Sequence, residues 1–193
     1  RVRKTHATSP ATFQSPNGGP LGYVVEGQPR ILNRLGHRTV VPAPRAATHT
    51  PRVGLYTVAL GDDGDLLPGP NARLDGLVVA AFGAGHVPAH LVAPLERLAA
   101  HMPVVLASRT GAGPGLATTY GFPGSESDLL ARGLIRAGFL DPFKARILLR
   151  TLLTTTGDRD TITAAFAVAG GYADPVTWPW PTPPAALTDV GEP

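Results

Sequence analysis

The 193-residue chain contains no cysteine, which excludes disulfides and thiolate metal sites. Its six histidines lack the HExxH-type spacing of zinc hydrolases, so no metal is expected. Lysine is scarce: 15 of the 17 cationic residues are arginines, Lys4 and Lys144 being the exceptions. They are spread thinly, and a formal charge of +3 without a basic run gives no surface that would track phosphates. Nucleic acid is therefore not an expected partner. No apolar stretch approaches the roughly 18 residues of a membrane span, and no membrane association is expected. The first residue is Arg1, so any targeting signal is expected upstream, and the opening reads as the start of a fragment. With no cysteine usage to guide it, the expected compartment is cytoplasmic.

What is present is glycine (23), proline (21) and a 43% hydrophobic content, enough for one sizeable core with trailing segments. Residues 1–50 are polar and weakly periodic, with turn clusters at Ser15 to Pro20 and Pro42 to Pro44, and read as connection rather than core. From Val53 the pattern changes. Val53 to Leu60, Gly76 to Phe82 and Pro103 to Ala107 are short apolar runs of the kind that form strands buried on both faces of a parallel sheet. Between the last two, Leu91, Val92, Leu95, Leu98 and Ala99 share one helical face, completing a βαβ unit.

Further helices are expected near Ser125, with Leu129, Leu130 and Leu134 inward, and at Asp141, the N-cap before Pro142. In the latter, Phe143, Ile147, Leu148, Leu152 and Leu153 form the expected apolar stripe. A fourth helix runs from Asp158 to the Gly170-Gly171 stop. The expected fold class is α/β, a three-layer parallel sheet flanked by helices over 51–170. Residues 171–193, which include WPWPTPP, form a tail whose tryptophans could dock on the domain surface.

In such a sheet, ligands bind beyond the carboxyl ends of the strands. Two segments sit there. Gly83 to Pro88 joins strand to helix and carries His86, but its GxGxxP spacing lacks the third glycine of a dinucleotide fingerprint, so turn chemistry alone makes it a tight turn with an exposed histidine. Ser108 to Gly113, continuing through Thr118, Thr119 and Tyr120 to Glu126, gathers hydroxyls, a guanidinium and a carboxylate that could hold a small zwitterion. It reads equally as a Gly-rich loop with Glu126 at a helix N-terminus. Neither segment supplies a nucleophile with its base.

The run Val2-Arg3-Lys4-Thr5-His6-Ala7-Thr8, followed by Phe13-Gln14-Ser15-Pro16-Asn17-Gly18-Gly19-Pro20-Leu21-Gly22, resembles the stretch of bacterial-type L-asparaginases that carries their lysine and the F-x-S-x-N-x-G-P-L-G loop. Leu74 to Pro88 is similar to that family's "DG-(apolar)-G-x-G-N/H-x-P" turn, Pro103 to Arg109 to its "PVV-x-S-S-R" strand, and Leu140 to Arg146 to its "L-x-P-x-K-A-R" helix start. The matches keep their order from Val2 to about Phe166.

The resemblance implies hydrolysis of L-asparagine, with L-glutamine as a side substrate, through a threonine acyl-enzyme with no cofactor and no metal. It implies that residues 1–50 end a first, catalytic domain and link it to the second. Lys4 falls at the catalytic lysine of a Thr-Asp-Lys trio; outside the resemblance it reads as solvated. His86, where Asn is commoner, and Glu126 fall at positions that reach the substrate's amino group in a neighbouring subunit, within a homo-oligomer built as a dimer of dimers. Glu126 is expected on an exposed loop, where its removal would spare the fold. The family's "T-G-G-T" and "H-G-T-D-T" motifs occur nowhere in these residues, so the chain alone is expected to be inactive. The competing expectations are a non-catalytic amino-acid-binding or regulatory module derived from the same domain, and the amidotransferase subunit that shares the fold, for which a basic RNA-contacting surface is missing.

Overall fold

The computed structural model describes residues 2–44, 50–69 and 72–181. Its centre is a four-stranded parallel sheet of β5 (Val53–Thr57), β6 (Gly76–Ala81), β7 (Val104–Ser108) and β8 (Ile135–Arg136), in that spatial order. Helix α1 (Val92–His101) joins β6 to β7, α2 (Glu126–Ala131) precedes β8, and α3 (Pro142–Leu153) and α4 (Arg159–Ala169) follow it. Side chains alternate across the strands. Val53, Val78, Val105 and Ile135 pack against Leu149, Leu152, Ile162 and Phe166 of α3 and α4. On the other face Leu77, Val79, Val104 and Leu106 pack with Leu91, Leu95 and Leu129. The expected three-layer α/β architecture is the one observed.

Local signals account for the helix starts. The Asp141 carboxylate accepts the amides of Phe143 and Lys144 ahead of Pro142, and Asp158 accepts that of Thr161. The rotation of α3 differs from expectation. Phe143 and Ile147 are 69% and 64% exposed, and the inward row is Pro142, Ala145, Leu149 and Leu152, with Leu148 and Leu153 at its margin. The reason is geometric: Phe143 and Ile147 lie about 200° around the helix from Ala145 and Leu149. Small Ala145 lets α3 lie close over the sheet, and Arg146 fixes the orientation by donating Nε to the Val53 carbonyl at 2.8 Å.

Three elements depart from the expected outline. The first strand stops at Thr57, although the Val58 amide still bonds the Ala80 carbonyl. Helix α2 is short and ends before Leu134, which is buried beyond Gly133. The two-residue β8 was not expected at all.

Ahead of the sheet, β1 (Arg3–Lys4) pairs with β2 (Phe13–Gln14), and β3 (Gly22–Val25) with β4 (Gln28–Ile31), both antiparallel. The β3–β4 turn holds Glu26 and Gly27 at φ of 52° and 77°, the double positive φ that matches strand twist in a two-residue hairpin. Phe13, Tyr23, Val24, Ile31 and Leu32 are exposed.

At the other end, Trp178 is 8% exposed, joins the α3–α4 core, and donates Nε1 to the Val40 carbonyl at 3.0 Å. It thereby straps part of the irregular 32–44 segment to the domain. The parts of the expected linker and tail at Arg1, 45–49 and 182–193 lie outside the described residues. No helix of the described residues is long and apolar enough to cross a membrane.

Candidate functional site

The loops at the carboxyl ends of β6 and β7 are tied together by backbone bonds. After β6 the chain doubles back: the Phe82 amide donates to the His86 carbonyl, and the Gly85 and His86 amides to the Phe82 carbonyl, at 2.8–2.9 Å. The Val87 amide then reaches the Gly124 carbonyl at 2.9 Å, which brings the approach to α2 alongside His86. Gly124 must be glycine here: its φ is 87°, and a Cβ would stand 2.3 Å from the Val87 oxygen.

This crossing brings His86 and Glu126, 40 residues apart in sequence, to 2.9 Å between Nε2 and Oε2. The His86 side chain is 24% exposed and that of Glu126 is 0% exposed. The other carboxylate oxygen, Oε1, accepts the amides of Thr119 at 3.0 Å and Tyr120 at 2.8 Å. Burial raises the Glu126 pKa, but the amides of Tyr120, Glu126 itself and Thr119, together with His86, more than offset it, and the carboxyl lies below its ordinary value. Tyr120 and Phe122 pack against the imidazole in T-shaped contacts, with ring centroids 4.8 and 5.0 Å away.

The structure therefore corrects the expectation that Glu126 is exposed and dispensable for folding. Its negative charge sits at the first residue of α2, where it is favourable, yet the carboxylate is also the buried anchor of the 119–120 backbone. The side chains of the same loop that could have held a zwitterion are bonded within the chain. Ser108 Oγ donates to the Gly83 carbonyl at 2.6 Å and bonds Thr110 Oγ1 at 2.8 Å. Arg109 donates to the Val58 carbonyl at 2.6 Å, its guanidinium lying 4.2 Å from the Phe82 ring centroid. His86, by contrast, is partly exposed while held by Glu126. Phe122 was missed in sequence. The available signal was an aromatic residue in a Gly-rich loop a few positions before the acid.

Lys4 lies exposed on β1 opposite Phe13, without a hydrogen bond or ion pair to His86 or Glu126. Its neighbours do reach the loop after β7. Arg3 donates to the Gly111 carbonyl, and Asn17 Oδ1 accepts the Gly113 amide at 2.8 Å. Lys144 Nζ donates to the Val2 carbonyl at 2.5 Å. The N-terminal arm is thus held against the strand edge that carries the pair.

An open groove of about 540 Å³ lies elsewhere, between His37, Arg38 and Thr39 and the tail from Pro175 to Pro181, and its walls hold no acid–base pair. No group of three or more metal-ligating side chains occurs among the described residues. The His86–Glu126 pair can orient a ligand and exchange a hydrogen bond with it, but it contains no nucleophile.

The model of the Glutaminase/Asparaginase C-terminal domain matches residues 52–166. A probable L-asparaginase of Deinococcus radiodurans is 39% identical over 171 residues, covering 86% of this chain and 50% of the relative. L-asparaginase 2 of Escherichia coli is 33% identical over 170 residues, covering 86% and 47%. Among solved structures, a probable cytoplasmic L-asparaginase from Campylobacter jejuni superposes with a TM-score of 0.69 at 32% identity, covering 86% of this chain and 50% of that one. The chain spans about half the length of the curated relatives it matches.

Proposed function

The chain belongs to the glutaminase/asparaginase family, and from that membership we propose that it forms the second-domain half of an L-asparaginase, converting L-asparagine to L-aspartate and ammonia. The observation that carries this reading is the meeting of His86 and Glu126 at the carboxyl edge of β6 and β7, where an α/β sheet receives ligands. Residues 1–50 close a first lobe and link it to the second. The exposed apolar side chains of the β3–β4 hairpin support this, because an isolated hairpin is marginal in water and gains stability from a surface to pack on.

The reaction is acyl transfer. A threonine hydroxyl from the first lobe attacks the side-chain amide carbon, the C–N bond breaks as nitrogen takes a proton and leaves as ammonia, and water hydrolyses the ester to aspartate. Lys4 moves the proton between threonine and leaving group. His86 and Glu126 serve the α-amino end of the substrate, completing the site of a neighbouring subunit within a dimer of dimers.

The test is ammonia release from L-asparagine. Turnover is expected when the chain is joined to a first lobe of its relatives' type, and none from the 193 residues alone. Lys4→Met in the joined protein should abolish turnover while leaving the assembly mass by light scattering unchanged. A joined protein that folds and assembles yet releases no ammonia sinks the enzymatic reading. A second reading, a non-catalytic amino-acid-binding module, draws on the sheet being buried on both faces by this chain's own helices. Binding of L-aspartate to the 193 residues alone, measured by calorimetry, would favour it.

A further inference from the structure

The groove between the 37–39 segment and the C-terminal strap from Pro175 to Pro181 is lined on one side by an imidazole, a guanidinium and a hydroxyl, those of His37, Arg38 and Thr39. The strap contributes proline rings and two indoles, and no carboxylate lines either wall. Asp174, just before the strap, is engaged elsewhere: its side chain accepts the Val176 amide at 2.9 Å and caps the single helical turn Pro175–Thr177. The Arg38 guanidinium has no acceptor among the described residues, and neither has the indole N–H of Trp180. The groove therefore offers unused donors and an apolar wall, with no fixed negative charge to oppose an anion.

Both walls are pinned. Trp178 is 8% exposed within the α3–α4 core, and its Nε1 donates to the Val40 carbonyl at 3.0 Å, joining strap to linker beneath the groove. Trp180 meets Trp178 in a T-shaped contact, centroids 5.3 Å apart at 63°, and packs at the margin of the same core. A wall already held in place loses little freedom when a ligand settles on it. At about 540 Å³ the groove has the size of a small-molecule site, roughly 300–1,000 Å³, and far more room than a bare inorganic anion fills.

We propose that this groove binds a small organic anion carrying a flat ring, with its charge on Arg38 and its ring against Trp180 and the strap prolines. A guanidinium presents paired N–H groups that match a carboxylate, sulfonate or phosphate, while an indole face and proline rings favour an aromatic body. The site shares no residue with the loops that carry His86 and Glu126. Because one wall belongs to the linker and the other follows α4, an occupant ties the two segments together.

Three probes separate charge from ring: naphthalene-2-sulfonate, its isostere naphthalene-2-sulfonamide, which is uncharged at neutral pH, and inorganic sulfate. The chain has two tryptophans, so the isotope-labelled protein gives two indole N–H signals, told apart by the loss of one in Trp180→Phe. The sulfonate should shift the Trp180 signal saturably, with a Kd about tenfold below that of the sulfonamide, the weight of one charge-assisted contact. Sulfate should leave that signal in place. Arg38→Ala should weaken the sulfonate about tenfold and leave the sulfonamide unchanged; its side chain is exposed and unpartnered among the described residues, so the fold is expected to survive. Equal binding of sulfonate and sulfonamide, a sulfate effect as large as the sulfonate's, no shift of the Trp180 signal, or an Arg38→Ala protein that binds sulfonate as the wild type does would each overturn the proposal. The wild-type comparison of the three probes stands without any variant.

Discussion

Replacing Glu126 by alanine removes an acceptor from three donors at once. Two are backbone amides, Thr119 and Tyr120, which have no other acceptor among the described residues, and the third is the His86 ring. A hydrogen bond to an ionised group is worth about 1.5–3 kcal/mol net, and a stranded buried donor costs a similar amount. The 119–120 segment and His86 are only partly buried, so water recovers part of the loss, and the expected destabilisation is about 3 kcal/mol. With a urea dependence of about 2 kcal/mol per molar, the unfolding midpoint followed by circular dichroism should fall by about 1.5 M.

The same variant carries a pH signature. The folded carboxyl lies below its unfolded value of about 4.3, so its contribution is fully present above that pH and is lost as pH falls through the lower folded value. The stability gap between wild type and Glu126→Ala should therefore be constant from neutrality down to about pH 5 and close in stronger acid. A midpoint change equivalent to less than about 0.5 kcal/mol, or a gap that widens on acidification, would refute the argument that a buried anion organises this loop.

The rotation of α3 is tested by a pair. Leu149→Ala should cost about 3 kcal/mol of unfolding free energy, while Ile147→Ala, on the solvent side of the same helix, should stay within about 0.5 kcal/mol. Trp178→Ala should cost about 3 kcal/mol and make the irregular segment around Val40 newly susceptible to limited proteolysis. Gly124→Ala should lower the thermal midpoint and disturb the His86 ring signals in the NMR spectrum, because the added methyl group collides with the Val87 carbonyl.

The parts of the fold most legible in sequence were those where one physical cause dominates. Strands β6 and β7 are buried on both faces and so appear as unbroken apolar runs, and the Asp141-Pro142 and Asp158 starts announce themselves by capping chemistry. α3 shows the limit. Large apolar side chains drew the expected stripe toward Phe143 and Ile147, while small Ala145 marked the buried side. β8 spans two residues, too few for any periodicity, and is set by pairing with β7.

At the site, the resemblance pointed to His86 and Glu126, and the structure brings them into contact. The burial of Glu126 was not legible, because polar residues in a Gly-rich loop signal exposure. Only the fold reveals that two backbone amides and an imidazole converge on the carboxylate. Arg109 misled in the opposite sense: a guanidinium at a strand end suggests an anion site, but here it is spent on the Val58 carbonyl and the Phe82 ring.

The most direct measurement is a crystal structure of the joined protein with L-aspartate bound. The account predicts the amino-acid nitrogen beside the His86 and Glu126 side chains, at the carboxyl edge of β6 and β7. L-aspartate seated away from that edge would contradict it.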